Sequence, residues 1–124
     1  MTNFIWLFDR YGTPVLQLYN DGRFVDRHGR FVGVLSENNT VFNYNGKHKG
    51  WYEKGVLRDL KGFTTAFAKG ASDSPSPIFP IPQIPPVPAI PAIPPVPAIH
   101  QIPNLKPIKQ FSWSDIPASR LFDE

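Results

Sequence analysis

A four-residue turn motif recurs four times in the first half of the chain and constrains its fold more than any other feature. The motif is Asx-x-x-Gly, and its glycines are 17, 17 and 16 residues apart. Its first positions are Asp9, Asp26, Asn43 and Asp59, and its fourth positions are Gly12, Gly29, Gly46 and Gly62. Asp or Asn at the first position of a β-turn bonds its own backbone, and glycine adopts the positive φ that closes a hairpin. Each motif therefore predicts a tight hairpin turn in which these eight residues are structural.

A second set of turn signals, at residues 20–22, 38–39, 54–55 and 69–70, separates the four motifs. The short runs between turns are rich in Val, Phe, Tyr, Trp and Leu, which predicts eight strands. We therefore expect an all-β fold, a small pseudo-fourfold meander of four β-hairpins around a central axis. Five residues before each motif glycine stand Leu7, Phe24, Val41 and Leu57, predicted to meet inside. Four residues after it stand Leu16, Gly33, Gly50 and Ala66, three of them small enough for close backbone approach.

The hairpin motifs, the Gly33-Val34 and Gly50-Trp51 pairs and the presence of four units within residues 4–69 carry a family resemblance. The segment resembles the bacterial four-fold β flower domain. The resemblance implies a fold and a bacterial origin, and it implies no reaction. The fourth unit departs from the pattern, because Arg58 stands where the others have Phe8, Val25 and Phe42. We expect this hairpin to lie next to the second half of the chain.

Proline divides the chain, since 14 of its 15 prolines follow residue 71. Proline removes a backbone donor, so the second half cannot build an ordinary core of helices or strands. We predict a domain over residues 1–70, a proline-rich tail over residues 71–110 and a C-terminal anchor over residues 111–124.

Every third residue of the tail is apolar, and we call this set of twelve the stripe. Its members are Ile78, Ile81, Ile84, Val87, Ile90, Ile93, Val96, Ile99, Ile102, Leu105, Ile108 and Phe111. Polyproline II has three residues per turn, so the spacing predicts that the stripe lies on one edge of an extended tail. Such a tail would be roughly 100 Å long, whereas a 70-residue domain is about 30 Å across. It must therefore bend, project beyond the domain or run along several copies.

We interpret the stripe as a surface that binds a partner or a sister subunit. The predicted contacting residues run from Ile78 to Ile102 in the stripe, joined by Trp113, Leu121 and Phe122 of the anchor. The anchor is expected to form an apolar plug on its own or a neighbouring domain. The alternatives are a loose proline-rich spacer with a frayed terminus, or a ligand for SH3 or WW domains. The last is less favoured, because no orienting arginine or tyrosine flanks the Pro-x-x-Pro spacing.

The formal charge is +3, and residues 1–70 carry ten basic against six acidic side chains. Five basic residues fall on or beside the predicted turns and define what we call the basic rim. They are Arg10, Arg27, Arg30, Lys47 and Lys61. Such a rim can bind an anion or a nucleic-acid backbone, or it can be an ordinary solvated surface.

No catalytic arrangement is suggested by the sequence. The repeated carboxylates are explained by turn chemistry, and no histidines stand at metal-ligand spacing beside them. We therefore predict a non-enzymatic binding or assembly module with no metal and no cofactor. The alternative is an anion- or nucleic-acid-binding domain that uses the basic rim, with the tail as a spacer. With no cysteine, no signal peptide and no membrane-spanning run, a cytoplasmic location is expected.

Overall fold

The computed structural model describes residues 4–86 and 98–123 of the chain. Its strands are β1 (Phe4–Phe8), β2 (Pro14–Tyr19), β3 (Arg23–Asp26), β4 (Phe31–Leu35), β5 (Thr40–Asn43), β6 (His48–Glu53), β7 (Val56–Arg58) and β8 (Thr64–Ala68). Two short 3₁₀ segments, Glu37–Asn39 and Ala118–Arg120, complete the regular structure of the described residues.

The eight strands form a closed barrel in sequence order, and every neighbouring pair is antiparallel. The barrel closes where β8 returns to β1, with Leu7 opposite Ala68 and Phe8 opposite Phe67. The predicted all-β meander of four hairpins is confirmed. Closure leaves no unpaired sheet edge, which explains how such short strands form a stable sheet.

The same register irregularity recurs in every hairpin. The pairing shifts after Leu7, Phe24, Val41 and Leu57, and these residues lie opposite Leu16, Gly33, Gly50 and Ala66. The two sets that the sequence places at matched positions are therefore direct cross-strand partners. A bulge bends the strand and increases its twist, so four equivalent bulges help to curve the sheet into a small barrel.

The barrel interior is filled by these residues together with the C-terminal anchor. Ala118, Leu121 and Phe122 belong to the same buried cluster as Leu7 and Phe24. A side chain at Gly33 would collide with the ring of Phe122 and lie 2.6 Å from the carbonyl of Phe42. The small residue at this position therefore makes room for an aromatic ring from the anchor as well as for a neighbouring backbone.

The outer face of the barrel carries aromatic residues that the tail covers. Phe8, Phe42 and Phe67 are at most 3% exposed although they are not part of the interior cluster. The ring of Phe79 stacks on Phe67 with centroids 4.5 Å apart, and that of His100 stacks on Phe42 at 4.0 Å. Of the three courses open to so long a tail, the described parts follow the first and bend around their own barrel.

Candidate functional site: hairpin tips, tail and anchor

The four Asx-x-x-Gly turns, which we call the hairpin tips, share one hydrogen-bond pattern. The first Oδ of each Asx side chain accepts two backbone N–H groups, from the residues two and four positions later, at 2.9–3.0 Å. The glycine N–H donates to the Asx carbonyl at 3.0–3.2 Å, and each glycine has φ between 80° and 89°. These carboxylates are thus engaged in turn geometry.

In three tips the second polar atom of the Asx side chain makes a contact outside the turn motif, and the partner differs from tip to tip. Asp59 accepts a hydrogen bond from the Ser114 hydroxyl, and the Asn43 amide donates to the Phe122 carbonyl at 3.3 Å. At Asp26 the second oxygen pairs with Arg30 at 2.8 Å. Two tips therefore hold the anchor directly.

Backbone contacts with β8 fix the start of the anchor. Thr64 donates to Ser112 at 3.2 Å and accepts from Ser114 at 2.7 Å, which makes a short parallel bridge beside Trp113. The Thr65 hydroxyl donates to the Ile116 carbonyl at 2.8 Å. Trp113 is half-buried beside Phe67 and Phe79. The anchor therefore closes its own barrel, and Leu121 and Phe122 are not exposed to a partner in this structure.

The tail reaches the tips through a repeated backbone contact that our sequence reasoning missed. The N–H groups of Gln83, Gln101 and Gln110 donate to the carbonyls of Gly12, Gly46 and Gly62 at 2.9, 2.8 and 3.1 Å. Two residues before each glutamine, the carbonyls of Ile81, Ile99 and Ile108 lie against the same three glycines. The signal is visible in the sequence as Ile-x-Gln at residues 81–83, 99–101 and 108–110, which hold all the glutamines of the tail.

The residue inside each Ile-x-Gln segment faces the barrel. Pro82 is half-buried, His100 stacks on Phe42, and the Lys109 ammonium donates to Asp73 at 2.8 Å. The three segments share backbone geometry but differ in this middle contact. Each is therefore matched to its own place on the barrel.

Arg58 joins the two ends of the tail, in agreement with the expectation that its hairpin lies next to the second half of the chain. Its guanidinium is 3% exposed and pairs with Asp73, 3.2 Å away, near the start of the tail. It also donates to the carbonyl of Gln110, 3.2 Å away at the end of the tail, and to that of Gly62 at 3.1 Å. Burial alone would raise the pKa of Asp73, but hydrogen bonds and charges from Lys109 and Arg58 outweigh it and lower that pKa.

His48 holds the middle of the second described part of the tail. Its Nδ1 accepts the backbone N–H of Asn104 at 2.8 Å, so its proton lies on Nε2, which donates to the Gly50 carbonyl at 2.8 Å. The backbone N–H of His48 also donates to the side chain of Gln101. Burial lowers the pKa of His48, with a smaller opposing effect from the bond to Gly50. The neutral ring is thus the form that binds the tail.

The described members of the stripe face away from the barrel. Its eight described members are 73–96% exposed, namely Ile78, Ile81, Ile84, Ile99, Ile102, Leu105, Ile108 and Phe111. Val87, Ile90, Ile93 and Val96 lie outside the described residues. The described parts of the tail therefore contact the barrel through their backbone and through the positions between the stripe residues.

Every member of the basic rim has an exposed side chain on or beside a tip. Arg30 is paired with Asp26, and the Arg10 guanidinium lies 5.8 Å from the ring centre of Tyr11. Lys61 and the half-buried Lys49 line a cleft of about 450 Å³ beside the anchor, which Asp59 and Asp115 also line. The cleft thus carries both charge signs.

Within residues 4–86 and 98–123, no group of three or more His, Cys, Asp or Glu side chains is placed to hold a metal ion. No helix in this part of the chain is long and apolar enough to cross a membrane.

Comparison with known protein families gives a match over most of the chain. The family model described as 4-fold beta flower protein matches residues 5–122, which includes the tail and most of the anchor as well as the barrel. No curated protein and no solved structure matches the chain.

Proposed function

The chain belongs to the 4-fold beta flower family, and from this premise we propose that it is a non-enzymatic binding and assembly module. In this proposal the barrel is a rigid support, and the tail presents its apolar stripe to a protein partner. The partner we favour is a second copy of the same chain.

One observation carries the proposal. The eight described stripe residues are 73–96% exposed, although the tail that bears them is held along the barrel by hydrogen bonds and ring stacking. An ordered apolar surface of this extent on a small chain is typical of an interaction site. Burying an aliphatic side chain contributes about 1.5–3 kcal/mol, so a contact that covers only a few of them is already substantial.

A second copy suits this surface for a physical reason. Two identical stripes related by a twofold axis present aliphatic side chains to each other at the same spacing, which is the self-complementarity that symmetric dimers require. The three-residue period would set the register of the contact if the tail has the polyproline II conformation that we propose for it. Nothing charged lies on the stripe itself, so no buried charge opposes the association.

The test is a stripe variant with Ile84, Ile102 and Leu105 changed to serine. All three side chains are at least 89% exposed, so the barrel should keep its stability. Light scattering over a range of protein concentrations should give a larger oligomer for the wild type than for the variant. The matched control changes Ile5 and Ile116 to serine, and it should keep the oligomer. These two side chains are 46% and 44% exposed and lie off the stripe. A wild type that stays monomeric at the highest concentration would exclude self-association through the stripe.

Salt dependence separates this proposal from binding through the basic rim. Apolar contacts between stripes should survive added salt, whereas binding of an anion or a nucleic acid by exposed Arg10, Arg27 and Lys61 should weaken steeply. Binding that is lost with salt and is unaffected by the stripe variant would favour the rim.

A further inference from the structure

We propose that the hairpin tips bearing Gly12, Gly46 and Gly62 form a peptide-binding surface for extended Ile-x-Gln segments, which the tail of a second copy of the chain can occupy. In the described structure the chain's own tail fills this surface. The proposal concerns the barrel-facing side of the tail, so it does not depend on the outward stripe.

The backbone of each tip supplies the same pair of features. The positive φ of the glycine turns its carbonyl towards the tail, and the missing Cβ lets a tail carbonyl approach. A Cβ at Gly12 or Gly62 would lie 2.5 Å from the carbonyl oxygen of Ile81 or Ile108. A tip therefore accepts an extended segment that brings a carbonyl and, two residues later, an N–H group.

Few tail segments can meet the need for an N–H group at this position, because much of the tail is proline. A proline at the third position of a segment would lack the N–H that the tip glycine accepts. The second half of the chain has 14 prolines, and in its described part each of the three N–H groups that bond a tip glycine belongs to a glutamine. The glutamines thus preserve the donors on which tip binding depends.

The middle residues determine which segment fits which tip. Lys109 bonds Asp73 and lies 3.7 Å from Glu53, whereas His100 needs the ring of Phe42. A tail shifted by one nine-residue step would place lysine against an aromatic ring and leave Asp73 without its ammonium partner. Only a chain with the same order of segments satisfies all of these contacts, which is why we assign the site to a second copy.

If two copies of the chain exchange their tails, none of these contacts changes, because a tail from either chain makes the same hydrogen bonds and ion pairs. Exchange of an identical element is a low-cost route to a dimer. The ion pair between Glu53 and Lys106 lies at this junction of barrel and tail, and both side chains are partly exposed. It therefore gives a means of controlling whose tail binds.

The experiment uses two full-length variants, Glu53→Lys and Lys106→Glu. Each alone brings like charges together when its own tail binds, whereas exchanged tails restore opposite charges in both halves of a mixed dimer. After co-expression with two different mass tags, native mass spectrometry should show the mixed dimer enriched roughly three- to tenfold over random pairing. Circular dichroism and a wild-type pair with the same tags confirm that folding and tagging are not responsible.

A second pair of variants tests the backbone contact. Gln110→Pro removes the N–H that Gly62 accepts, and Gln110→Ala keeps it, so exchange should be lost in the first and retained in the second. The stripe variant should leave exchange unchanged, so failure of the stripe proposal and failure of this one are distinguishable. Folded chains that never form mixed dimers, as wild type or as charge variants, would overturn the inference.

Discussion

Replacement of Arg58 by methionine is the most informative single perturbation of the described structure. The guanidinium bonds Asp73 and the carbonyl of Pro75 at the start of the tail, and the carbonyl of Gln110 at its end. Methionine keeps much of the aliphatic volume and removes every one of these donors. We expect both ends of the tail to detach more easily while the barrel strands remain paired.

The magnitude follows from the burial of the pair. Arg58 and Asp73 side chains are each 3% exposed, and removing one partner of such a pair costs about 3–5 kcal/mol. Asp73 still has Lys109 at 2.8 Å, so the lower end, about 3 kcal/mol, applies. For a chain of this size the melting temperature should fall by about 10 °C.

Urea unfolding of the full chain, together with hydrogen exchange of the Gln110 amide, measures both effects. A double variant, Arg58→Met with Asp73→Leu, removes the buried charge as well and should recover much of the lost stability. A single variant within about 1 kcal/mol of wild type, or a double variant no more stable than the single one, would refute the assigned role of the pair.

Asp73 also predicts a pH dependence that this variant should reduce. Its pKa is lowered in the folded chain, so its stabilising effect is complete above the unfolded value near 3.9. That effect is lost as the pH falls through the folded pKa. The Arg58 variant should show a smaller loss of stability below about pH 4 than the wild type.

Two further predictions concern single contacts of the tail. The pKa of His48 is lowered by burial, so the contribution of its neutral ring to folding stability is complete above about pH 6.5. That contribution is lost as the pH falls from there towards the folded pKa. Hydrogen exchange of the Asn104 amide, followed by NMR, should accelerate over that range. Gly12→Ala should destabilise the chain more than Gly70→Ala, because both glycines have positive φ (80° and 75°) but only the first would press a Cβ against the tail. Backbone strain at positive φ should destabilise both variants by about 1–2 kcal/mol. The additional loss of unfolding free energy in Gly12→Ala, measured by urea unfolding, reports the contact with the tail.

Each of these predictions has a direct control. Asn104→Pro removes the N–H that His48 accepts, so the variant should lose the acid-induced change in the tail around residue 104. An unchanged pH profile in that variant would assign the effect to another group. Equal destabilisation by the two glycine substitutions would show that the carbonyl of Ile81 does not press on Gly12.

The barrel could be predicted from the sequence because its repeats carry local chemistry at fixed spacing. An Asx side chain and a positive-φ glycine define each tip without help from distant residues, and Leu7 and Leu57 keep the same position relative to the tips in separate repeats. Comparing the repeats therefore identified both members of each cross-strand pair. Closure of β8 onto β1 was beyond this reasoning, because it depends on the accumulated twist and bulges of all eight strands.

The direction in which the stripe faces could not be derived from its period. A three-residue repeat states that Ile81, Ile84 and their equivalents share one side, and the hydrophobic effect alone would place that side against the barrel. The structure places the opposite side there, because the barrel surface offers hydrogen-bond acceptors at the tip glycines and flat aromatic rings such as Phe42. A proline-rich segment has few N–H groups, so the backbone N–H groups of the glutamines bond the tip glycines. The middle residues of the Ile-x-Gln segments face the barrel, and His100 there stacks on Phe42.

The position of Arg58 shows how a broken repeat can point to such a contact. Three hairpins have an apolar residue there and the fourth has a cation, which a barrel with exact symmetry would not need. A buried guanidinium requires several acceptors, and the barrel supplies two of them, the Gly62 carbonyl and the Thr64 hydroxyl. The others come from the second half of the chain, where Asp73, Pro75 and Gln110 supply them. Departures from internal symmetry thus mark where the tail begins and ends on the barrel, and the Ile-x-Gln segments mark the tips that it contacts between those points.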